Sequence, residues 1–342
     1  MMRSVFYLGP MQLEIREVPI PQPGPGEVVV KVEAATTCGT DLKAYKRGHR
    51  LMKPPMPFGH EWAGIVAMAG PGVTRFHEGD RVTAANSAPC NSCFYCRRGM
   101  QQLCVQLDER FNWGAYAGFL RVPPYIVAQN MHIVPAHVPF AHAAVIEPLA
   151  CAVHCVHRSG ILLGDVVAII GPGAQGLMQI QIAKSMGAAR VIVIGRSSGR
   201  LAVAKALGAD DVFSANDGDA VAFVREHAHG RGADVTIETA GSADTWRQAF
   251  EMTRPGGTAM MFGGLPGGTQ VPFDAKRLHY DEITPRATFH HTPRYVEMAM
   301  AMISSGQIDP GKLIDGEVPL EQTEDALKRM DRSEVIKLAV VP

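Results

Sequence analysis

Two patterns of hydrophobic and polar positions divide the chain. After Asp165, short apolar runs alternate with stretches whose apolar positions recur at helical spacing. The runs Val166–Ile170, Val191–Gly195, Asp211–Ser214, Asp234–Glu238 and Thr258–Gly263 predict strands. The first of these has two valines and two isoleucines and no polar residue, the pattern of a strand buried on both faces. Between them, Gln175–Met186, Gly199–Leu207, Asp219–Ala228 and Ala243–Thr253 predict helices. Regular alternation of this kind specifies a parallel, doubly wound sheet. Before Asp165 the pattern is β-rich and irregular. Strands are expected at Glu27–Thr37, Gly64–Ala69, Arg81–Ala84 and Gly118–Val122, after an approach through Pro19, Pro21, Pro23 and Pro25. From about Phe289 the alternation stops; Arg294–Ser304 and Glu321–Met330 read as helices and Val335–Val341 as a closing strand.

The first strand of the regular half runs into Gly171-Pro-Gly173-Ala174-Gln175-Gly176, and a helical pattern follows. G-x-G-x-x-G between a strand and a helix predicts a dinucleotide site. The glycines allow a tight turn, close approach of a pyrophosphate and close helix–strand packing. The phosphates then sit at a helix N-terminus, where free N–H groups and the helix dipole favour negative charge. The next strand ends in Gly195-Arg196-Ser197-Ser198-Gly199-Arg200, with no carboxylate to bind the adenosine ribose hydroxyls of NAD. Arg196, Ser197 and Arg200 instead offer positive charge and donors suited to a 2′-phosphate, so NADP(H) is expected in preference to NAD(H); the alternative is that the arginines are solvated and both cofactors are used. Thr239, and Gly263-Gly264-Leu265, follow later strands, where such a sheet binds ligand; taken alone they also fit ordinary glycine turns.

Composition narrows the partners. The 342 residues carry 33 Lys+Arg and 33 Asp+Glu, a net charge of zero, so neither nucleic acid nor an anionic membrane is expected as a partner. The first residues show no signal-peptide pattern, and Gly-Pro-Gly interrupts the most apolar segment, so a cytoplasmic protein is expected. There are seven cysteines, and four of them fall within fifteen residues: Cys90, Cys93, Cys96 and Cys104. C-x2-C-x2-C-x7-C can close four thiolates around one structural zinc. Iron–sulfur ligation competes with that reading, but no proline follows the fourth cysteine and no second cysteine set exists. Three further segments carry reactive residues: Cys38-Gly-Thr40-Asp41, Gly59-His60-Glu61 and Glu147-Pro148. A Cys, a His and a Glu could converge as ligands of a catalytic zinc with one open position. Periodicity does not show that they converge, and singly each reads as a core or bystander residue.

In this order, Cys38-Gly-Thr-Asp, Gly59-His-Glu, the four-cysteine lobe, Glu147-Pro and Gly171-Pro-Gly-Ala-Gln-Gly resemble the zinc-dependent medium-chain alcohol dehydrogenases over nearly the whole chain. The polyol branch, with its sorbitol and threonine dehydrogenases, is the most similar. The resemblance implies an α/β protein with a GroES-like, β-rich catalytic domain over residues 1–147, including the cysteine lobe at about 87–106. A Rossmann domain over 148–288 and a return to the catalytic domain over 289–342 complete it. It implies two zincs per chain, a homotetramer, and an alcohol, polyol or ketone as substrate. Cys38 and His60 would ligate the catalytic zinc, Glu61 and Glu147 would do so directly or through water, and Asp41 would fix the His60 ring. Thr40 would contact the substrate oxygen and start the proton relay. Many relatives have a histidine, the relay terminus, where this chain has Lys43; a lysine with a lowered pKa could serve, but the residue reads first as a solvated lysine. Phe289-His290-His291 would lie near the nicotinamide, with both histidines as cleft lining. Tyr45, Arg47, Phe58, Phe111 and Trp113 are expected in the pocket walls. Two rival readings are a zinc-free quinone or enone reductase on the same fold and a non-catalytic NADPH-binding protein.

Overall fold

The computed structural model describes all 342 residues, which divide into two compact units. The first comprises 1–150 and 291–342. Its main sheet runs in the order Ile314–Pro319, Lys337–Val341, Val28–Thr36, Trp62–Ala69, Arg81–Ala84, Met131–Ile133, and Phe119–Val122 also pairs with Val28–Thr36. Val28–Thr36 is the central strand. Its Val28, Val30 and Val32 pack with Trp62, Val66, Phe76, Val82 and Val122 into the main core of this unit. A separate small sheet is formed by the hairpin Met2–Gly9 and Gln12–Val18 with Met56–Pro57. Neither strand of this hairpin was among those expected from the sequence; Gln12–Val18 has no buried residue, although Leu13 and Ile15 alternate with polar neighbours. Helices not expected from the sequence include Gly39–Arg47 and Ile146–Ser159.

The second unit, 151–290, holds a six-stranded, all-parallel sheet. The order is Asp211–Ser214, Arg190–Gly195, Val166–Ile170, Ala233–Glu238, Thr253–Met261, Thr284–Ala287. The first strand in sequence therefore lies inside the sheet, and the order reverses beside it, as in a Rossmann fold. All five residues of Val166–Ile170 are buried, which accounts for its unbroken apolar run. The helices fall between the strands as the periodicity predicts: Ala174–Ser185, Ser198–Ala206, Ala220–His227 and Ala243–Met252. The edge strand Thr284–Ala287 was not anticipated; its four residues are all exposed and include Pro285 and Arg286, so no apolar run marks it. No helix in either unit is long and apolar enough to cross a membrane.

The glycine turn is built as its spacing requires. Gly171 adopts φ +97°, which other residues rarely do, and a Cβ on Gly176 would lie 2.2 Å from the Gly171 carbonyl oxygen. The helix Ala174–Ser185 can therefore seat against the turn only if residue 176 has no side chain.

Candidate functional site

The central strand Val28–Thr36 and its antiparallel neighbour Trp62–Ala69 assemble the first site. Ala35 pairs with Trp62, and the Thr36 N–H donates to the Glu61 carbonyl (3.1 Å). The residues just past the end of one strand, Cys38 onward, thus meet those just before the other, His60 and Glu61. One ligand atom from each of Cys38, His60 and Glu61 lies within 4.8 Å of the others. Cys38 caps the helix Gly39–Arg47, its sulfur accepting from the Thr40 N–H at 3.4 Å. The helix N-terminus by itself favours a thiolate there, but burial opposes it and the thiol is pushed up.

Asp41, buried on the first turn of that helix, holds His60 in place: Nδ1 of His60 is 3.0 Å from Asp41 Oδ1. The other Asp41 oxygen accepts from the buried Tyr116 hydroxyl at 2.7 Å. With Nδ1 engaged, Nε2 is the remaining ring nitrogen for a metal. Gly59 sets the approach. It has φ +86°, and a Cβ there would sit 2.6 Å from the Tyr116 ring. Gly59→Ala is expected to destabilise the protein by about 2 kcal/mol or more, through positive-φ strain plus the clash, read from the denaturant midpoint.

Glu61 has a partner that sequence reasoning missed. Lys337 is 2 % exposed, and its Nζ donates to Glu61 Oε2 and to the Thr37 carbonyl, each at 2.6 Å. Thr36 Oγ1 also donates to Glu61 Oε2, whereas Oε1 is buried with no hydrogen-bond partner. Strand pairing places this lysine: Thr37 and Leu338 exchange backbone and side-chain hydrogen bonds, which brings Lys337 under the trio. No motif in the sequence marks a lysine 276 residues away as part of the site.

The electrostatics of the trio call for a cation. Burial pushes the Cys38 thiol up, and the Glu61 carboxylate adds to that. Burial disfavours charge on His60, but Asp41 and Cys38 outweigh it and hold the imidazole well above its ordinary value. Burial likewise opposes charge on Lys337, yet Glu61 and Cys38 raise it above the usual lysine range. An orphaned carboxylate oxygen, a sulfur and an imidazole nitrogen around one point form a donor set suited to zinc.

Glu147, on the first turn of Ile146–Ser159, is not among the groups gathered within 4.8 Å of that trio. Its Oε1 lies 3.8 Å from Nε2 of the buried His291, whose Nε2 is also 3.5 Å from Asn86 Oδ1. Thr40 is half-buried at the helix start, and Lys43 is exposed. The expected pocket walls divide. Tyr45 and Phe58 are core residues, 2 % and 0 % exposed, and Arg47 is exposed. The Tyr45 hydroxyl donates to Glu324 and the Phe58 ring stacks on Tyr7, which corrects the placement of both in a pocket. Phe111 and Trp113 are half-buried, with Trp113 edge-on to His60.

The four-cysteine lobe forms its own small core with Leu107 and Phe111. One sulfur from each of Cys90, Cys93, Cys96 and Cys104 lies within 4.8 Å of the others, and none is in a disulfide. Cys90 Sγ and Cys96 Sγ are 4.0 Å apart. A tetrahedron with metal–sulfur bonds of about 2.3 Å has edges of about 3.8 Å, so the spacing fits one zinc. Hydrogen bonding from Ser92 lowers Cys90 to about 5, whereas burial pushes Cys96 up to about 12. Thiols this close do not all ionise without a cation among them.

In the second unit, the strand ends carry the cofactor candidates. Gly173 caps the helix Ala174–Ser185 without a side-chain bond, and its Cα faces open space. The helix N-terminus thus leaves free N–H groups beside open space, the arrangement a phosphate requires. Ala174 and Gln175 begin the helix, both half-buried. Thr239 Oγ1 donates to the Ile170 and Gly171 carbonyls (2.8 and 2.6 Å), so it holds the turn in shape. Gly263 packs so tightly on Gly241 and Glu238 that a Cβ would lie 2.5 Å from the Gly241 nitrogen; Gly264 is open, and Leu265 is half-buried. Glu238 tethers this loop: its Oε1 accepts from the Gly241 N–H and the Thr245 hydroxyl, each at 2.7 Å. Burial raises its pKa. Ser197 caps the helix Ser198–Ala206 by accepting from the Arg200 N–H, and Arg196 is exposed beside it. Phe289 is half-exposed, with its ring tilted against His290.

Residues 24–135 match the alcohol dehydrogenase GroES-like domain and residues 174–305 the zinc-binding dehydrogenase family. The chain is 30% identical to the sorbitol dehydrogenase of Bacillus subtilis over 355 residues, covering 100% of this chain and 97% of the relative. It is 34% identical to the L-threonine 3-dehydrogenase of Bacillus velezensis over 340 residues, covering 96% and 95%. Among solved structures, one from Sinorhizobium meliloti 1021, described as a zinc-binding dehydrogenase bound to NADP, superposes with a TM-score of 0.92 at 31% identity, covering 100% of this chain and 99% of that one. Ordered motifs, both domain types and near-complete coverage lead to one conclusion: the chain belongs to the zinc-dependent medium-chain alcohol dehydrogenase family, in its polyol branch.

Proposed function

We propose that the protein interconverts a secondary alcohol or polyol and its ketone, with NADP(H) as hydride carrier and two zincs per chain, one catalytic and one structural. The cluster of the half-buried Cys38 with the buried His60 and Glu61, whose Oε1 is orphaned, is the observation that carries this reading. When bound, the zinc supplies Lewis-acid polarisation of the alcohol oxygen, and the nicotinamide takes the hydride. Cys38, His60 and Glu61 would hold the catalytic zinc, and Glu147 would be the group that exchanges with Glu61. Asp41 keeps the His60 ring turned so that Nδ1 stays engaged. Thr40, half-buried at the helix start, takes the alcohol proton on its hydroxyl and passes one outward; Lys43 is exposed. Cys90, Cys93, Cys96 and Cys104 would hold the structural zinc. Gly171, Gly173 and Gly176 would seat the pyrophosphate, and Arg196 and Arg200 the 2′-phosphate, with a Ser197 N–H or hydroxyl beside them. A NADP-bound relative with the same fold supports the nucleotide choice. A homotetramer and the domain limits 1–147, 148–288 and 289–342 belong to the same reading.

The test is a panel of polyols and secondary alcohols assayed with NADP and NAD in parallel. NADP is expected to give the higher kcat/KM. Replacing Arg196 and Arg200 together by Ala is expected to shift the NADP/NAD ratio toward NAD by about 10- to 100-fold, from charge-assisted bonds of about 1.5–3 kcal/mol. A strong preference of the parent for NAD would refute the arginine assignment. Activity that survives zinc chelation would point to the zinc-free reductase. Cofactor binding with no alcohol oxidised would point to a non-catalytic role.

A further inference from the structure

We propose that Tyr116 is a positioning residue for the catalytic metal: its hydroxyl fixes the second oxygen of Asp41, and so locks the carboxylate that sets the His60 ring. The inference rests on the zinc dehydrogenase reading above and adds to it a residue outside every motif of the sequence. Asp41 and Tyr116 are 0 % exposed and His60 is 3 % exposed, so the three groups satisfy one another away from bulk water. Asp41 Oδ1 lies 3.0 Å from His60 Nδ1, and Oδ2 accepts from the Tyr116 hydroxyl at 2.7 Å. The hydroxyl also lies 3.2 Å from the Thr36 carbonyl oxygen. A phenol has one hydrogen to give, and the carboxylate is both the nearer acceptor and the charged one.

The fold sets Tyr116 against the segment that carries His60. The Tyr116 N–H donates to the Phe58 carbonyl at 3.0 Å, and the Gly114 and Ala115 N–H groups donate to the Gly59 carbonyl at 2.8 and 3.1 Å. From the other side, the Val5 N–H donates to the Tyr116 carbonyl at 2.8 Å. The Tyr116 ring fills the space that a Cβ on Gly59 would need, and the Phe58 ring stands edge-on to it, centroids 5.8 Å apart at 62°. Tyr116 and His60 therefore reach Asp41 from paired backbone, each engaging one oxygen. The consequence is chemical. A carboxylate held at one oxygen can still turn about its bond to the side chain, whereas one held at both cannot. Removing the phenol hydrogen would leave Oδ2 buried without its donor, a cost that Asp41 relieves by turning away from His60. The imidazole then loses the bond that engages Nδ1 and keeps Nε2 for the metal.

The experiment is a competition for zinc between the protein and the chelator 4-(2-pyridylazo)resorcinol. It is run on the zinc-loaded parent, Tyr116→Phe, Asp41→Asn and the double variant, with Cys38→Ser giving the curve of the cysteine-lobe zinc alone. Phenylalanine keeps the ring beside Gly59, so only the hydroxyl is removed. Tyr116→Phe is expected to weaken the catalytic zinc by about 10- to 100-fold, the usual effect of losing a partner behind a metal ligand, and to leave the lobe zinc unchanged. In the Asp41→Asn background the same substitution is expected to change zinc affinity by about twofold or less, because its effect passes through Asp41. A Tyr116→Phe protein that holds both zincs as tightly as the parent overturns the proposal and leaves the dehydrogenase reading intact. So does an equal loss with and without Asp41, because that marks a general loosening of the fold. If the parent's curve matches that of Cys38→Ser, no zinc is held at Cys38, and the metal reading falls with this inference.

Discussion

Cys38→Ser is expected to lower kcat/KM by at least about a thousandfold while the chain stays folded. Lewis-acid catalysis supplies several kcal/mol at the transition state, and the variant would remove the sulfur that draws the cation into the trio. The loss is confined to the site for a structural reason. Cys38 is half-exposed at a helix start and not a member of the core, so a serine oxygen can still accept from the Thr40 N–H as an N-cap. Metal analysis should find two zincs in the parent and one in the variant, the remaining ion in the cysteine lobe. Retained turnover would exclude Cys38 as a ligand, and a single zinc in the parent would remove one of the two assignments.

The second large effect is on stability. Lys337→Met is expected to destabilise the protein by about 3–5 kcal/mol, the usual cost of leaving one member of a buried ion pair alone. Lys337 and Glu61 are both fully inside, and the methionine removes two hydrogen bonds along with the charge. Adding Glu61→Gln to Lys337→Met should recover part of the loss, since no uncompensated charge then remains. Urea midpoints of the parent, of Lys337→Met and of the double variant measure both effects. An unchanged midpoint in Lys337→Met would mean that the bound cation, and not the lysine, neutralises Glu61.

These two predictions sit on either side of what the chain's order of residues could reveal. Cys38 was singled out because it lies in a short motif, Cys-Gly-Thr-Asp, whose cap, sulfur and acid are consecutive. Lys337 was invisible: it opens a five-residue strand whose other members are apolar, and its partner is reached only through the pairing of that strand with the central one. Tyr45 and Phe58 show the same limit from the other direction. Aromatic residues near the motifs were expected in the pocket, but a linear pattern does not tell which face of a turn meets the core. The structure buries both beneath the sheet, leaving Phe111 and Trp113 beside His60. Lys43 read correctly because exposed lysine is the default and nothing in the fold overrides it.

By itself the sequence determined whatever depends on neighbours along the chain. The parallel sheet of residues 151–290 follows from alternating periods, and the glycine turn follows from a spacing that only glycine can fold. The cysteine lobe follows from four thiols close enough in sequence to meet without help from the rest of the fold. Only the tertiary structure decided what depends on strands pairing across long separations. It brought Cys38 to His60 and Glu61, set Lys337 beneath them, grouped Glu147 with His291, and put the Trp113 ring against His60. The physical reason is that periodicity records which face of an element is buried, whereas the partner on that face is chosen by sheet order and register, which no local pattern encodes.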